Sequence, residues 1–286
     1  MPSKAYWSKA MRKVLSGVVA VLLTGTSGYA ADIYQPEVVE PEPVAVVETG
    51  GWYLRGDMGW SYNKLRGADF YQGSNGTYRS FDSTRLKSGF TLGGGVGYQI
   101  NDHFRTDVTL DYMFKSKFNG STSGSCGVAG NCISRDVSSL TALSLLANAY
   151  VDIGSYGIVT PYVGAGIGGT YVNWKGLDNT SCEDGDPTNC DPTFRHRGKK
   201  SWRFTYALMA GASVDVTCNL KADLGYRFRH VTKGEMFGFN AGGGPGYDKG
   251  FYSHEARAGL RYSFNGCDQQ AYIPPAEIPI EQPVYK

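Results

Sequence analysis

Polar and apolar residues alternate with period two in eight segments, the signature of strands with two unlike faces. In the first segment Trp52, Leu54, Gly56, Met58, Trp60 and Tyr62 share one face, while Arg55, Asp57 and Ser61 share the other. The second sets Phe90, Leu92, Val96, Tyr98 and Ile100 against Thr91, Gln99 and glycines. The third sets Phe104, Val108, Leu110, Tyr112 and Phe114 against Arg105, Asp107, Thr109, Asp111 and Lys115. The fourth, about Leu140 to Ile153, is the least regular, because Leu146 falls on its polar side. The fifth runs from Ile158 to Trp174. The sixth opposes Trp202, Phe204, Tyr206 and Leu208 to Arg203, Thr205, Ser213 and Asp215. The seventh opposes Leu220, Leu224, Tyr226 and Phe228 to Lys221, Asp223, Arg227 and Arg229. The eighth opposes Tyr252, Leu260, Tyr262 and Phe264 to Glu255, Arg257 and Arg261.

Period alone does not separate a soluble sandwich from a membrane barrel, but length does. Several runs reach about 10 to 12 residues, longer than ordinary strands and suited to a tilted crossing of a hydrocarbon layer. The connections alternate as well. Asn101-Asp102, Gly154-Ser155-Tyr156-Gly157 and Thr217-Cys218-Asn219 are tight turns, whereas 63–88, 116–137, 175–200 and 232–250 are long and polar. Short turns at one end and long loops at the other are how bacterial barrels are laid out. The expected fold is all-β, an eight-stranded antiparallel up-and-down transmembrane barrel with long extracellular loops.

Composition agrees with this expectation. Aromatic residues make up 13% and glycines number 39, yet mean hydropathy is only −0.30, which suits a greasy exterior around a wet interior. No run of 18 apolar residues exists, so a spanning helix is excluded. Lys4, Lys9, Arg12 and Lys13 precede an apolar core from Val14 to Leu23, and Gly28-Tyr29-Ala30 supplies small residues for cleavage after Ala30. Removing those four cations from the 28 leaves 24 basic against 26 acidic residues, so nothing suggests nucleic acid. The expected organisation is a signal peptide at 1–30, a Pro/Glu-rich linker at 31–50, the barrel at 51–264 and a Pro-rich tail at 265–286. An even strand count would return both termini to the periplasm.

Three stretches carry a family resemblance. Thr160-Pro161-Tyr162-Val163-Gly164-Ala165-Gly166 and Lys221-Ala222-Asp223-Leu224-Gly225-Tyr226-Arg227 resemble the outer-membrane β-barrel domain family, related to the OmpA transmembrane domain. The stretch Arg257 to Phe264, with Gly259, Tyr262 and Phe264 at its marker positions, is similar to the signal read by the barrel assembly machinery. The resemblance spans about Gly51 to Phe264 and is strongest to the small major surface proteins of rhizobia and Brucella relatives. One departure is that 22 residues follow Phe264. The family includes structural and surface proteins, haem binders, adhesins and narrow pores. Because those roles share no transferable motif, the resemblance implies no binding site.

Candidate chemistry is sparse. Eight inward cations (Arg55, Arg105, Arg203, Lys221, Arg227, Arg229, Arg257, Arg261) meet seven inward anions (Asp57, Asp107, Asp111, Asp152, Asp215, Asp223, Glu255). In a lumen only wide enough for side chains, these read as a salt-bridged plug, with a gated small-ion pore as the alternative. Topology pairs Cys126 with Cys132, Cys182 with Cys190 and Cys218 with Cys267 as disulfides of an oxidising compartment. The acidic run Cys182 to Asp186 reads as a solvated loop, because it lacks a full calcium-loop spacing. Arg195, Arg197, Lys199 and Lys200 form a basic run at the outer rim, at the height of lipopolysaccharide phosphates. Ser253-His254-Glu255 does not make a catalytic set, since neighbouring strand residues point to opposite faces; no enzyme and no cofactor are expected. The mature chain would begin Ala31-Asp32, resembling related barrels joined to peptidoglycan through that amine. Two classes stay open: a structural envelope barrel, either tethered through Ala31 with Asp32 as recognition residue or carrying an untethered linker, or a surface protein, binding haem, a host ligand or lipopolysaccharide through its outer loops or acting as a narrow porin.

Overall fold

The computed structural model describes residues 50–73, 76–240, 243–264 and 266–267. The expected leader, the N-terminal linker with Ala31 and Asp32, and most of the C-terminal tail lie outside the described residues. Eight long strands form the wall: β1 (Gly51–Leu65), β2 (Gly89–Gln99), β3 (Phe104–Ser121), β4 (Cys132–Asp152), β5 (Val159–Trp174), β6 (Lys200–Asp215), β7 (Leu220–Val231) and β8 (Phe251–Ser263). Each pairs antiparallel with the next. The ring closes where β8 pairs with β1, in a register running from Tyr53↔Ser263 to Leu65↔Phe251. From Tyr53 to Ser61 closure leaves β1 paired on both sides, the condition for a sheet to stand in lipid.

Alternation along β1 is complete, exposed at even and buried at odd positions from Trp52 to Leu65. The outward set carries two aromatic girdles. Trp52, Tyr98, Phe104 and Tyr262 stand near the short-turn end; Trp60, Tyr62, Phe114, Trp202 and Phe204 stand toward the long-loop end. Trp60 and Trp202 are 59% and 62% exposed. Eight residues at about 3.4 Å each, tilted about 40°, separate Trp52 from Trp60 by roughly 21 Å along the barrel axis, close to the height of an outer-membrane apolar band.

Inside, large side chains need room from small ones on the neighbouring strand. A Cβ on Gly97 would strike the Tyr53 ring, and one on Gly166 would strike the Asn148 amide. The turns have local causes too. Asn101 Oδ1 accepts from the backbone N–H of His103 and Phe104 at 2.9 and 2.8 Å, a side-chain-closed turn. Gly154 and Gly157 take φ of 140° and 65°, which a side chain would disfavour.

The structure corrects the expected loop boundaries. Residues 116–121 and 132–137 are not loop but continue β3 and β4, so the second connection shrinks to 122–131. β1 likewise extends to Leu65, with Asn63 buried. A β-bulge between Met113 and Ser116 marks where the hairpin leaves the apolar band, with Phe114 and Lys115 both exposed. Above that point no lipid demands an apolar outward face, so the period-two signal fades from the sequence. Leu146, the irregular position of β4, points inward and is fully buried.

Candidate functional site at the long-loop end

The lumen below this end is filled. Arg55 binds Asp57 at 2.7 Å and Asp107 at 2.8 Å, and donates to the Tyr150 hydroxyl. Arg257 bridges Asp57 and Asp111 at 3.2 and 3.0 Å. Arg227 spans Asp111 and Glu255 at 2.7 and 2.5 Å, and Arg229 joins Glu255 and donates to Ser144. Arg105 pairs with Asp152 at 3.1 Å and lies over the rings of Tyr150 and Tyr162, 4.2 and 4.6 Å from their centroids. Arg261 meets Asp223, and Lys221 meets Asp215 at the partly exposed short-turn end. Every lumen charge named from the strand pattern finds an opposite partner. Charges buried this deeply persist only when paired and hydrogen-bonded.

One partner comes from outside the wall strands. Arg203 binds Asp248 at 2.6 Å, and the Trp174 indole donates to the same carboxylate at 2.9 Å. Asp248 belongs to the last long connection, which folds back into the mouth; sequence periodicity gave no sign of it because loop residues carry no period. Burial pushes its carboxyl above the ordinary value, against the pull of the Arg203 guanidinium. The inward rings of Tyr53, Tyr150 and Tyr162 are a second feature the strand pattern missed.

Above the charges the interior turns apolar. Met113, Phe118, Leu140, Val172, Trp174 and Val231 of the wall pack with Leu86, Leu177, Met236 and Phe237 of the connections. Phe81 bridges the two groups, 6.0 Å from Phe118 and 6.4 Å from Phe237 between ring centroids. The long connections are therefore not merely polar. The first and last together build a four-stranded lid, in the order Gly234–Phe237, Gly243–Asp248, Ala68–Gln72, Thr77–Ser80. Asp69 holds the lid's seam, accepting from Tyr78 at 2.7 Å and Ser80 at 2.6 Å and pairing with Lys249 at 3.0 Å. Those bonds lower its pKa despite partial burial.

The third connection extends the wall instead. Leu177–Glu183 pairs with the upper part of β4, and Asp186–Cys190 folds back on it. Disulfides join Cys126 to Cys132 and Cys182 to Cys190, pinning two hairpin tips, while Cys218–Cys267 ties the last short turn to the segment after β8. All three expected pairs are present. His196 seals the joint between this connection and the lid: its ring is buried, lies 5.0 Å from Phe237 between centroids, and has Nδ1 3.2 Å from the Gly238 carbonyl oxygen. Burial lowers its pKa below the ordinary 6.5, with the Gly238 carbonyl and Asp136 pulling the other way.

Arg195 is exposed and reaches Asp178 at 3.7 Å, the Arg197 carbonyl accepts from Gly238 N–H, and the Lys199 side chain lies alongside Gly238. Lys200 begins β6 on the outward face, two residues from Trp202. Ser253 and Glu255 point into the lumen, joined at 3.0 Å, whereas His254 points outward and binds the Tyr226 hydroxyl at 2.6 Å. Gly259 faces the lumen against Asp57, and Tyr262 and Phe264 meet edge to face on the outside with centroids 5.6 Å apart.

A family model described as the outer membrane protein beta-barrel domain matches residues 18–264. An uncharacterized protein of Brucella abortus (strain 2308) is 39% identical over 282 residues, covering 86% of this chain and 98% of its own length. A Rickettsia bellii (strain OSU 85-389) protein named as a candidate adhesin is 30% identical over 219 residues, covering 74% of this chain and 87% of its own. Among solved structures, Neisserial surface protein A aligns with a TM-score of 0.42 at 20% identity, covering 75% of this chain and 97% of its own.

Proposed function

Because the chain belongs to the outer membrane protein β-barrel domain family and resides in the outer membrane, we propose that it is a surface-display protein: a filled barrel anchor carrying a rigid loop cap that faces outward as a recognition surface. The observation that carries this reading is the construction of the cap. A display surface needs pre-organisation, because ordering a floppy loop at binding costs affinity. Here the lid is seated on an apolar core and fixed from below by Asp248 on Arg203, while two disulfides hold the hairpin tips. The Rickettsia relative's name supports the same direction. The filled lumen supports an anchor over a pore, and the separation of His254 from Ser253 and Glu255 supports a non-enzymatic role.

The test is adhesion by a non-adherent bacterium expressing the full chain. Cells should be retained on host-cell monolayers or matrix, and shortening the tips at 126–132 and 182–190 should abolish retention while heat-modifiable gel migration stays that of a folded barrel. Equal retention without the tips would overturn the reading. Biotin-maleimide labelling of a Thr188→Cys variant in intact cells checks the orientation. A covalent link from Ala31 to peptidoglycan, with Asp32 beside it, is a separate proposal resting on the expected cleavage after Ala30, which would make Ala31-Asp32 the start of the mature chain. Boiled sacculi should retain the protein until muramidase digestion, and sacculi without it would end that proposal.

A further inference from the structure

The barrel wall parts above the β1–β2 ladder. The β1–β2 ladder ends at Ser61↔Gly89. Beyond it Tyr62 to Leu65 remain bonded to β8 on one side, but on the other they face the strand Ser83–Leu86, which pairs with β3 instead. The Asn63 amide, donating to the Lys87 carbonyl at 3.2 Å, ties across the gap. The result is a cleft of about 520 Å³ opening on the outside of the wall.

Its lining is divided by height. Trp60 and Tyr62, in the aromatic girdle, form the lower edge; Lys64, Arg85 and Lys87 form the upper edge. All three cations are exposed, and none takes part in an ion pair among the described residues. This sets them apart from the lumen cations and from Arg195, which all have carboxylate partners. Lys117 adds a fourth exposed positive charge, its carbonyl accepting from the Lys87 N–H at 2.8 Å. A girdle marks the boundary between acyl chains and headgroups, so the cations stand one or two residues into the headgroup layer. Lys and Arg without internal partners at that height fit phosphate, and flat exposed rings beneath them fit acyl chains.

We propose that this cleft binds the phosphorylated headgroup of an outer-leaflet lipid, with Lys64, Arg85 and Lys87 on the phosphate and Trp60 and Tyr62 against the first part of the acyl chains. The site goes beyond the display reading and shares with it only the outward orientation of the loop end. Bound lipid would bridge β1 to the strand Ser83–Leu86 across that cleft.

Native mass spectrometry of the full chain in neutral micelles tests it, using diphosphoryl lipid A, the same lipid with its phosphates removed, and inorganic phosphate as separate probes. The diphosphoryl lipid should bind, with the dephosphorylated lipid and inorganic phosphate each at least tenfold weaker. The variant Lys64→Ala/Arg85→Ala/Lys87→Ala should weaken lipid binding at least tenfold, whereas Arg195→Ala/Arg197→Ala/Lys199→Ala/Lys200→Ala should leave it within twofold. Heat-modifiable migration confirms that both variants fold, and Lys64→Gln/Arg85→Gln/Lys87→Gln serves as a second test that keeps side-chain bulk. Undiminished binding in both triple variants, equal binding of the dephosphorylated lipid, equal binding of inorganic phosphate, or loss confined to the quadruple variant would each overturn the assignment. Because micelles have no inside or outside, the result stands apart from the orientation and adhesion tests.

Discussion

Asp248 shows how much can rest on one side chain. It enters the mouth from a loop, neutralises Arg203 and accepts from Trp174. Asp248→Ala should strip a buried guanidinium of its partner at a cost of about 3–5 kcal/mol, released locally as undocking of the lid. Hydrogen exchange in micelles should then show amides 243–250 losing protection while β1 to β8 keep theirs. Arg203→Met combined with Asp248→Leu should restore much of that protection, since an apolar pair can replace a buried ion pair at little cost. His196 gives the pH dependence. Its pKa is lowered in the docked state, so the undocked loop binds protons more readily as pH falls below 6.5. Docking of the third connection on the lid is therefore complete above that value and weakens below it. Proteolysis around residues 194–199 should accelerate between pH 7 and pH 5, and His196→Gln should flatten the profile. Neither residue could be singled out from sequence: one lies in a connection without period, and the other is a histidine among basic neighbours.

At the scale of elements, the strands were legible where lipid dictates them. Each residue of β1 between two girdles must face hydrocarbon or lumen, and the sequence from Trp52 to Tyr62 records that choice position by position. Above the membrane the rule lapses. In β4, Ser134, Asp136 and Ser138 still point inward, but their outward neighbours Ile133, Arg135 and Val137 mix apolar and charged types, so the first six residues of the strand read as loop. The lid was hidden for a different reason. Its core residues Ala68, Phe81, Leu86, Met236 and Phe237 are scattered over two connections about 150 residues apart in the chain and meet only in space. Phe237→Ala, which removes a ring touching both Phe81 and His196, should destabilise the lid by about 3–5 kcal/mol. Urea titration followed by lid-region hydrogen exchange should show it opening well before the barrel unfolds; coincident transitions would mean that cap and barrel are one cooperative unit.

The molecule as a whole is filled twice over, with ion pairs through the middle and an apolar core beneath the lid. The sequence exposed the first filling, because the inward charges of eight strands nearly balance. Asp248 adds an eighth anion to the seven read from the strands. The second filling required the fold. On the proposed display reading they make the barrel an anchor, with the cap and the cleft beside it as the surfaces that act. Planar bilayer recording of pure protein tests this claim most directly. The account predicts no sustained unitary current in the wild type, nor in Phe237→Ala, where the paired charges still occupy the lumen. Sustained unitary steps from either protein would contradict it.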